Sequence, residues 1–197
     1  MSEIVLFTGV NTRLGFGRYA GTYRIATELR QHGFTVQTID CFGDMPPEDV
    51  HRVIDAHISE ETLWVGFSTT LYNAYIPDED EEEFWTNPST TNLVSKHVGL
   101  YLKFMPYDDN IMEEFFSHIQ EINSNVKVIA GGYKAMYDRY PGIDYWVVGQ
   151  GEGPVIAISK HLRDKTPLQY IDTAVGKVIT DKMYPFNNFS NSQIRWH

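Results

Sequence analysis

At 197 residues, with 42% hydrophobic and 21% charged residues, the chain has the length and composition of one substantial domain that can bury its own core. Its 26 acidic against 16 basic residues, a formal net charge of -10 and the lack of any Lys/Arg-rich tract exclude the electrostatic footprint of a nucleic-acid binder. The single cysteine, Cys41, excludes an internal disulfide and an all-cysteine iron–sulfur or zinc site. A cytoplasmic, reducing compartment is therefore expected, and the start MSEIVLFTGV, with no basic segment and a short apolar run, predicts neither signal peptide nor membrane partner.

In chain order, residues 3–10 (EIVLFTGV) predict a first strand, ending in Thr8-Gly9 and followed by a glycine-rich loop. Residues 22–31 have helical spacing and Gly33 beyond them to close the last turn. Residues 34–39 (FTVQTI) predict the second strand. Pro46 and Pro47 stand where a helix tolerates proline best, and Val50, Val53, Ile54 and Ile58 line one face of that helix. Residues 63–67 (LWVGF) predict the third strand, ending in Ser68-Thr69-Thr70.

Residues 71–109 form a connection far longer than the usual ~2–6 residues between α/β elements, and so are expected to be an insertion. Its acidic run, residues 78–83, lacks the ligand alternation and turn glycine of a calcium loop and is read as a solvated face. A helix over residues 110–123 with Ile111, Phe115, Ile119 and Ile122 on its apolar face comes next. The strands 126–130 and 145–148 both stop at glycine, Gly131-Gly132 and Gly149-Gln150-Gly151-Glu152-Gly153, with a short helix expected over 133–140. Pro154 opens a last helix carrying Val155, Ile158 and Leu162. Five strands alternating with helices predict a doubly wound parallel sheet over residues 1–165; residues 166–197 read as a separate tail, with a β-hairpin about Gly176 and an aromatic, polar end.

Four loops converge on the carboxyl edge of such a sheet, beginning at Thr8-Gly9, Ser68-Thr69, Gly131-Gly132-Tyr133 and Gly149 to Gly153. They supply backbone N–H groups, small hydroxyls and helix amino termini, which suit a nucleotide-like cofactor. No nucleophile with its base is among them: His32, His51, His57, His118 and His161 fall on or beside helical stretches and read as surface residues, and His97 and His197 lie in the insertion and at the end. Glu152 is the one carboxylate among the glycines and reads as a helix-start cap. The pattern points to binding, with no catalytic residue and no protein metal ligand assigned.

The stretch VKVIAGGYKA followed by YPGIDYWVVGQGEG and a helix resembles the last two strands of the cobalamin-binding-type domain at the amino terminus of many radical SAM proteins. GTYRIATELRQHGFTVQTID and VGFSTT are similar to that domain's first helix, second strand and third strand. The resemblance spans residues 3–165 and implies a flavodoxin-like (Rossmann-like) five-stranded sheet of order 2-1-3-4-5, with the strand-end loops facing a corrin and its nucleotide tail. Carried over, it implicates Ser68, Thr69, Gly131, Gly132, Gly149, Gly151, Glu152 and Gly153. The family's Asp-x-His-x-x-Gly pattern is replaced by Thr8-Gly9-Val10-Asn11-Thr12-Arg13, so cobalamin without a protein histidine ligand is what the resemblance implies. With one cysteine the chain carries no cluster motif and no iron–sulfur cluster, and the radical SAM domain it would serve lies either in a separate subunit or in a longer protein.

Two other readings stay open on the residues. An NAD(P)-dependent Rossmann oxidoreductase draws on Gly15, Gly17 and Gly21 with Asp40 at the end of the second strand, although the glycine spacing is off by one. A ligand-free interaction module draws on the aromatic tail, in which Phe186, Phe189, Ile194 and Trp196 need a covering surface.

Overall fold

The computed structural model describes residues 1–8, 20–68, 109–132, 142–168 and 176–180. Five strands, β1 (Ile4–Phe7), β2 (Val36–Ile39), β3 (Trp64–Ser68), β4 (Lys127–Gly131) and β5 (Tyr145–Gly149), run parallel in the order 2-1-3-4-5. This is the flavodoxin-like order that the family resemblance implies. A sixth strand, β6 (Gly176–Thr180), pairs antiparallel with β5 at the edge. Among the described residues, four helices, α1 (Ala20–Gln31), α2 (Pro47–His57), α3 (Asp109–Ile122) and α4 (Glu152–Asp164), cover the two faces.

Alternation along each strand sorts the core into two layers. Val5, Phe7, Val65, Phe67, Val128, Ala130 and Trp146 face α2 and α3, whose Val50, Ile54, Met112, Phe115 and Ile119 complete that layer. Ile4, Leu6, Trp64, Ile129 and Val147 face α1 and α4, meeting Ala26, Leu29, Val155 and Ile158. Both faces of the strands are apolar because both are covered, which is why they read as continuous hydrophobic runs.

Helix ends follow their local signals. Gly33 takes φ +81°, the left-handed closure expected beyond α1, and Pro47 occupies the first turn of α2. A 3₁₀ turn at Phe42–Asp44 carries no sequence signal but serves packing: Phe42 is buried, its ring 5.0 Å from Phe7 and 5.3 Å from Phe67.

One arm of the expected hairpin is described: Gly176 starts β6 opposite Gly149, and β6 pairs with β5, satisfying the N–H and C=O groups of that edge. The other expected arm, the helix expected over 133–140, the insertion, the loop after Thr8 and the closing aromatic segment lie outside the described residues.

The amino ends of the strands are tied shut. The Asn123 amide donates to the carbonyl oxygens of Ser59, Glu60 and Thr62 at 3.1, 3.3 and 2.9 Å. Asp144 accepts from the Val128 N–H and from Lys127 Nζ, both at 2.9 Å. No described helix is long and apolar enough to cross a membrane.

Candidate functional site

The carboxyl ends, by contrast, open into a cavity of about 350 Å³ between the sheet and the amino-terminal halves of α1 and α4. It exists because one face of three adjacent strands runs out of side chains. Leu6, Gly66 and Ile129 stand side by side on that face, and one step further along come Ser68, Gly131 and Val147. Gly149 follows at the end of β5, so a slot remains where larger residues would have met the helices.

Trp64 forms the floor of the slot. Its indole leans over Gly66 so closely that a Cβ there would stand 2.6 Å from Trp64 Cζ3. Nε1 donates a 2.9 Å hydrogen bond to Ser159 Oγ, and Ser159 in turn donates at 2.6 Å to the Val155 carbonyl. All of this is buried, so the ring is fixed in position rather than free to fill the space above it.

The glycines at the rim have two different jobs. Gly132 and Gly149 take φ +117° and +88°, which L-residues rarely adopt, so the chain's exit from β4 and β5 requires them. Gly131 and Gly151 are different. A Cβ on Gly131 would meet Val147 at an ordinary 3.4 Å, and one on Gly151 would stand 3.0 Å from Ile25 Cδ1; both line the cavity. At those two positions the absent Cβ keeps space open.

Among the described residues, charge at the mouth is confined to one pair. Arg24 Nε on α1 lies 2.6 Å from Glu152 Oε1 on α4, and both residues line the cavity. Glu152 therefore bridges two helices instead of capping its own, and Gly151, which precedes α4, gives it no side-chain cap. Its first-turn N–H groups are left for solvent or a ligand.

Of the residues singled out from sequence, Ser68, Gly131, Gly132, Gly149, Gly151 and Glu152 are brought together around this cavity. Thr8 is buried, its N–H bonded to the Ile39 carbonyl and its own carbonyl accepting from Phe42, and is not in the lining. Gly153 is exposed on the first turn of α4, outside the lining. Gly9, Thr69 and Tyr133 lie outside the described residues. Asp40, the acid on which the nicotinamide reading relied, accepts a 2.5 Å hydrogen bond from Tyr23 Oη and does not line the cavity.

Sequence reading missed the floor and one wall: Trp64, Gly66, Thr22, Arg24, Ile25 and Val155. The signal for the floor was there in the alternation, since Trp64, Gly66 and Ser68 share a face of β3 as Ile129 and Gly131 share one of β4. The wall depends on how α1 and α4 approach each other, which no local pattern states.

No family model matches the sequence, and no curated protein matches it. Among solved structures, the chain is similar to the radical S-adenosylmethionine methyltransferase TsrM from Kitasatospora setae, determined with tryptophan substrate and a SAM analogue bound. The TM-score is 0.53 at 17% identity, over 91% of this chain and 29% of that one. It is also similar to OxsB, a cobalamin-dependent S-adenosylmethionine radical enzyme determined with aqua-cobalamin bound, at a TM-score of 0.50 and 12% identity over 91% of this chain and 22% of that one. At these identities the likeness is one of fold, and the chain spans less than a third of the length of either protein.

Proposed function

We propose that this chain is a cobalamin-binding-type domain that holds a corrinoid at the carboxyl edge of its sheet and serves a radical SAM domain or subunit. The observation that carries the reading is the slot cleared by Gly66, Gly131 and Gly149 over the Trp64 floor, at the strand-end edge where ligands of open α/β sheets bind. The fold shared with TsrM and OxsB supports it, OxsB having been determined with aqua-cobalamin bound.

The residues fit one part of a corrinoid in particular. A mostly apolar cavity of about 350 Å³ suits a heteroaromatic base with its sugar and is too small for the macrocycle. The macrocycle would rest outside, against the backbone at Gly132, Gly149 and Gly151, where the chain offers no side chain to hold it off. Arg24, paired with Glu152 and 70% exposed, stands at the mouth and would face the phosphate that joins base to macrocycle. Bound there, a corrinoid would supply redox-active cobalt chemistry to the partner. The chain's own part is to bind, orient and keep water from the buried base.

The test is a titration of the full chain with hydroxocobalamin, read from the corrin absorption bands, with cobinamide, which lacks the nucleotide, and NADH run in parallel. Saturable binding of cobalamin, weaker binding of cobinamide and no nicotinamide signal are expected. A chain that ignores both corrinoids sinks the reading. Equal affinity for the two would keep the corrinoid and remove the base from the slot.

A further inference from the structure

The two charges at the mouth of the cavity stand on different elements and in different surroundings. Arg24 on α1 is 70% exposed, whereas Glu152 on α4 is 22% exposed, so the carboxylate belongs to the wall while the guanidinium reaches towards solvent. Glu152 is held there by the fold: it is the first residue of α4, and Gly151 before it and Val155 beyond it line the cavity as well. The rest of the described lining is uncharged. Among the described residues, then, this pair alone meets the charge of whatever enters.

Resting on the corrinoid reading above, we infer that Glu152 is a specificity-determining residue, which through Arg24 selects a ligand whose tail brings one negative charge to the mouth, a phosphodiester, over one joined through a diphosphate. The carboxylate acts in two ways.

The first is orientation. A free arginine side chain has wide rotamer freedom, which a ligand would have to restrict on binding. Glu152 Oε1 already holds Arg24 through Nε, at 2.6 Å, and the remaining N–H donors, on the two Nη atoms, lie outside that contact. A phosphodiester presents two unesterified oxygens that share one charge, and the planar guanidinium fork matches such a pair.

The second is repulsion. Glu152 offsets the charge of Arg24, so the described mouth has no net side-chain charge. What remains to attract an anion is the directed guanidinium, together with the partial positive charge at the amino ends of α1 and α4. One phosphate charge is met by these groups. A second, brought to the same rim, faces the carboxylate with no further described cation in the lining to offset it. The net charge of -10 on the chain adds to that penalty.

The experiment titrates the full chain with three corrinoids read from their absorption bands: hydroxocobalamin, with a phosphodiester tail; GDP-cobinamide, with a diphosphate tail; and cobinamide, with neither phosphate nor base. The two tails differ in base as well as charge, so the quantity that decides is the change in their affinity ratio on substitution. Glu152→Gln should raise the affinity of GDP-cobinamide relative to hydroxocobalamin by about threefold, the size of an exposed charge interaction, and leave cobinamide unchanged. Glu152→Ala replaces it if the amide variant melts below the parent. Asp164→Asn removes the same charge at the far end of α4 and should not move the ratio. Arg24→Gln should weaken hydroxocobalamin at least about fivefold without affecting cobinamide. If the parent binds hydroxocobalamin but the Glu152 variants leave the ratio as it was, or Arg24→Gln binds like the parent, selection by this pair is overturned and the corrinoid reading stands. A parent that binds no corrinoid overturns both.

Discussion

A Cβ built on Gly66 would stand 2.6 Å from Trp64 Cζ3 and 2.9 Å from Leu6 Cδ2. The floor of the cavity and the glycine beneath it are therefore one feature, since the indole can lie flat only where the next residue on its face has no side chain. Gly66→Ala is expected to destabilise the chain by about 1–3 kcal/mol, the usual cost of overpacking a close-packed site. Urea unfolding followed by circular dichroism measures it. A midpoint equal to the parent's would mean that the indole has somewhere else to go.

The indole is anchored from the other end by Ser159, which accepts from Nε1 at 2.9 Å and donates to the Val155 carbonyl. Ser159→Ala leaves a buried N–H without that partner, an expected loss of about 1–3 kcal/mol. Ser159→Thr keeps the hydroxyl and should recover part of it. If alanine and threonine cost the same, the hydroxyl contributes nothing and the loss is one of packing.

Gly132 and Gly151 should separate folding from binding. Gly132→Ala forces a side chain onto φ +117° and is expected to cost about 1–3 kcal/mol in a thermal or urea melt. At Gly151 the backbone is ordinary, φ -85°, and the intruding Cβ meets only the flexible tip of Ile25 at 3.0 Å. Gly151→Ala should therefore fold within about 0.5 kcal/mol of the parent yet bind hydroxocobalamin more weakly, because it narrows the slot. Matching losses in melt and titration would make Gly151 structural.

Tyr145 gives the chain a pH dependence at the alkaline end. Burial, and next the neighbouring Asp144 carboxylate, raise its phenol above the usual tyrosine value, with Lys127 pulling the other way. The unfolded chain then loses that proton first, so the folded state holds more protons and stability falls as pH rises from about 10 towards the higher folded value. Below about 10 the group contributes no slope. Tyr145→Phe should flatten this part of the stability curve, measured as the urea midpoint at successive alkaline pH values; an unchanged slope would assign it to other groups.

Sequence alone determined the sheet. Apolar runs without polar alternation, ended by glycine and separated by helices, imply parallel strands covered on both faces, as the described β1 to β5 are, while their order, 2-1-3-4-5, was implied by the family resemblance. It also placed Ser68, Gly131, Gly132, Gly149, Gly151 and Glu152 at one edge, because strand ends and glycine conformations are local properties. Three things were beyond it, each because it depends on residues distant in the chain meeting in space. β6 joins β5, since an edge can be filled from anywhere in the sequence. Glu152 reads as a helix cap until α1 brings Arg24 to within 2.6 Å of it. And His51 and His118 look like surface residues on separate helices, until the parallel crossovers set α2 and α3 in register and place their rings 4.9 Å apart.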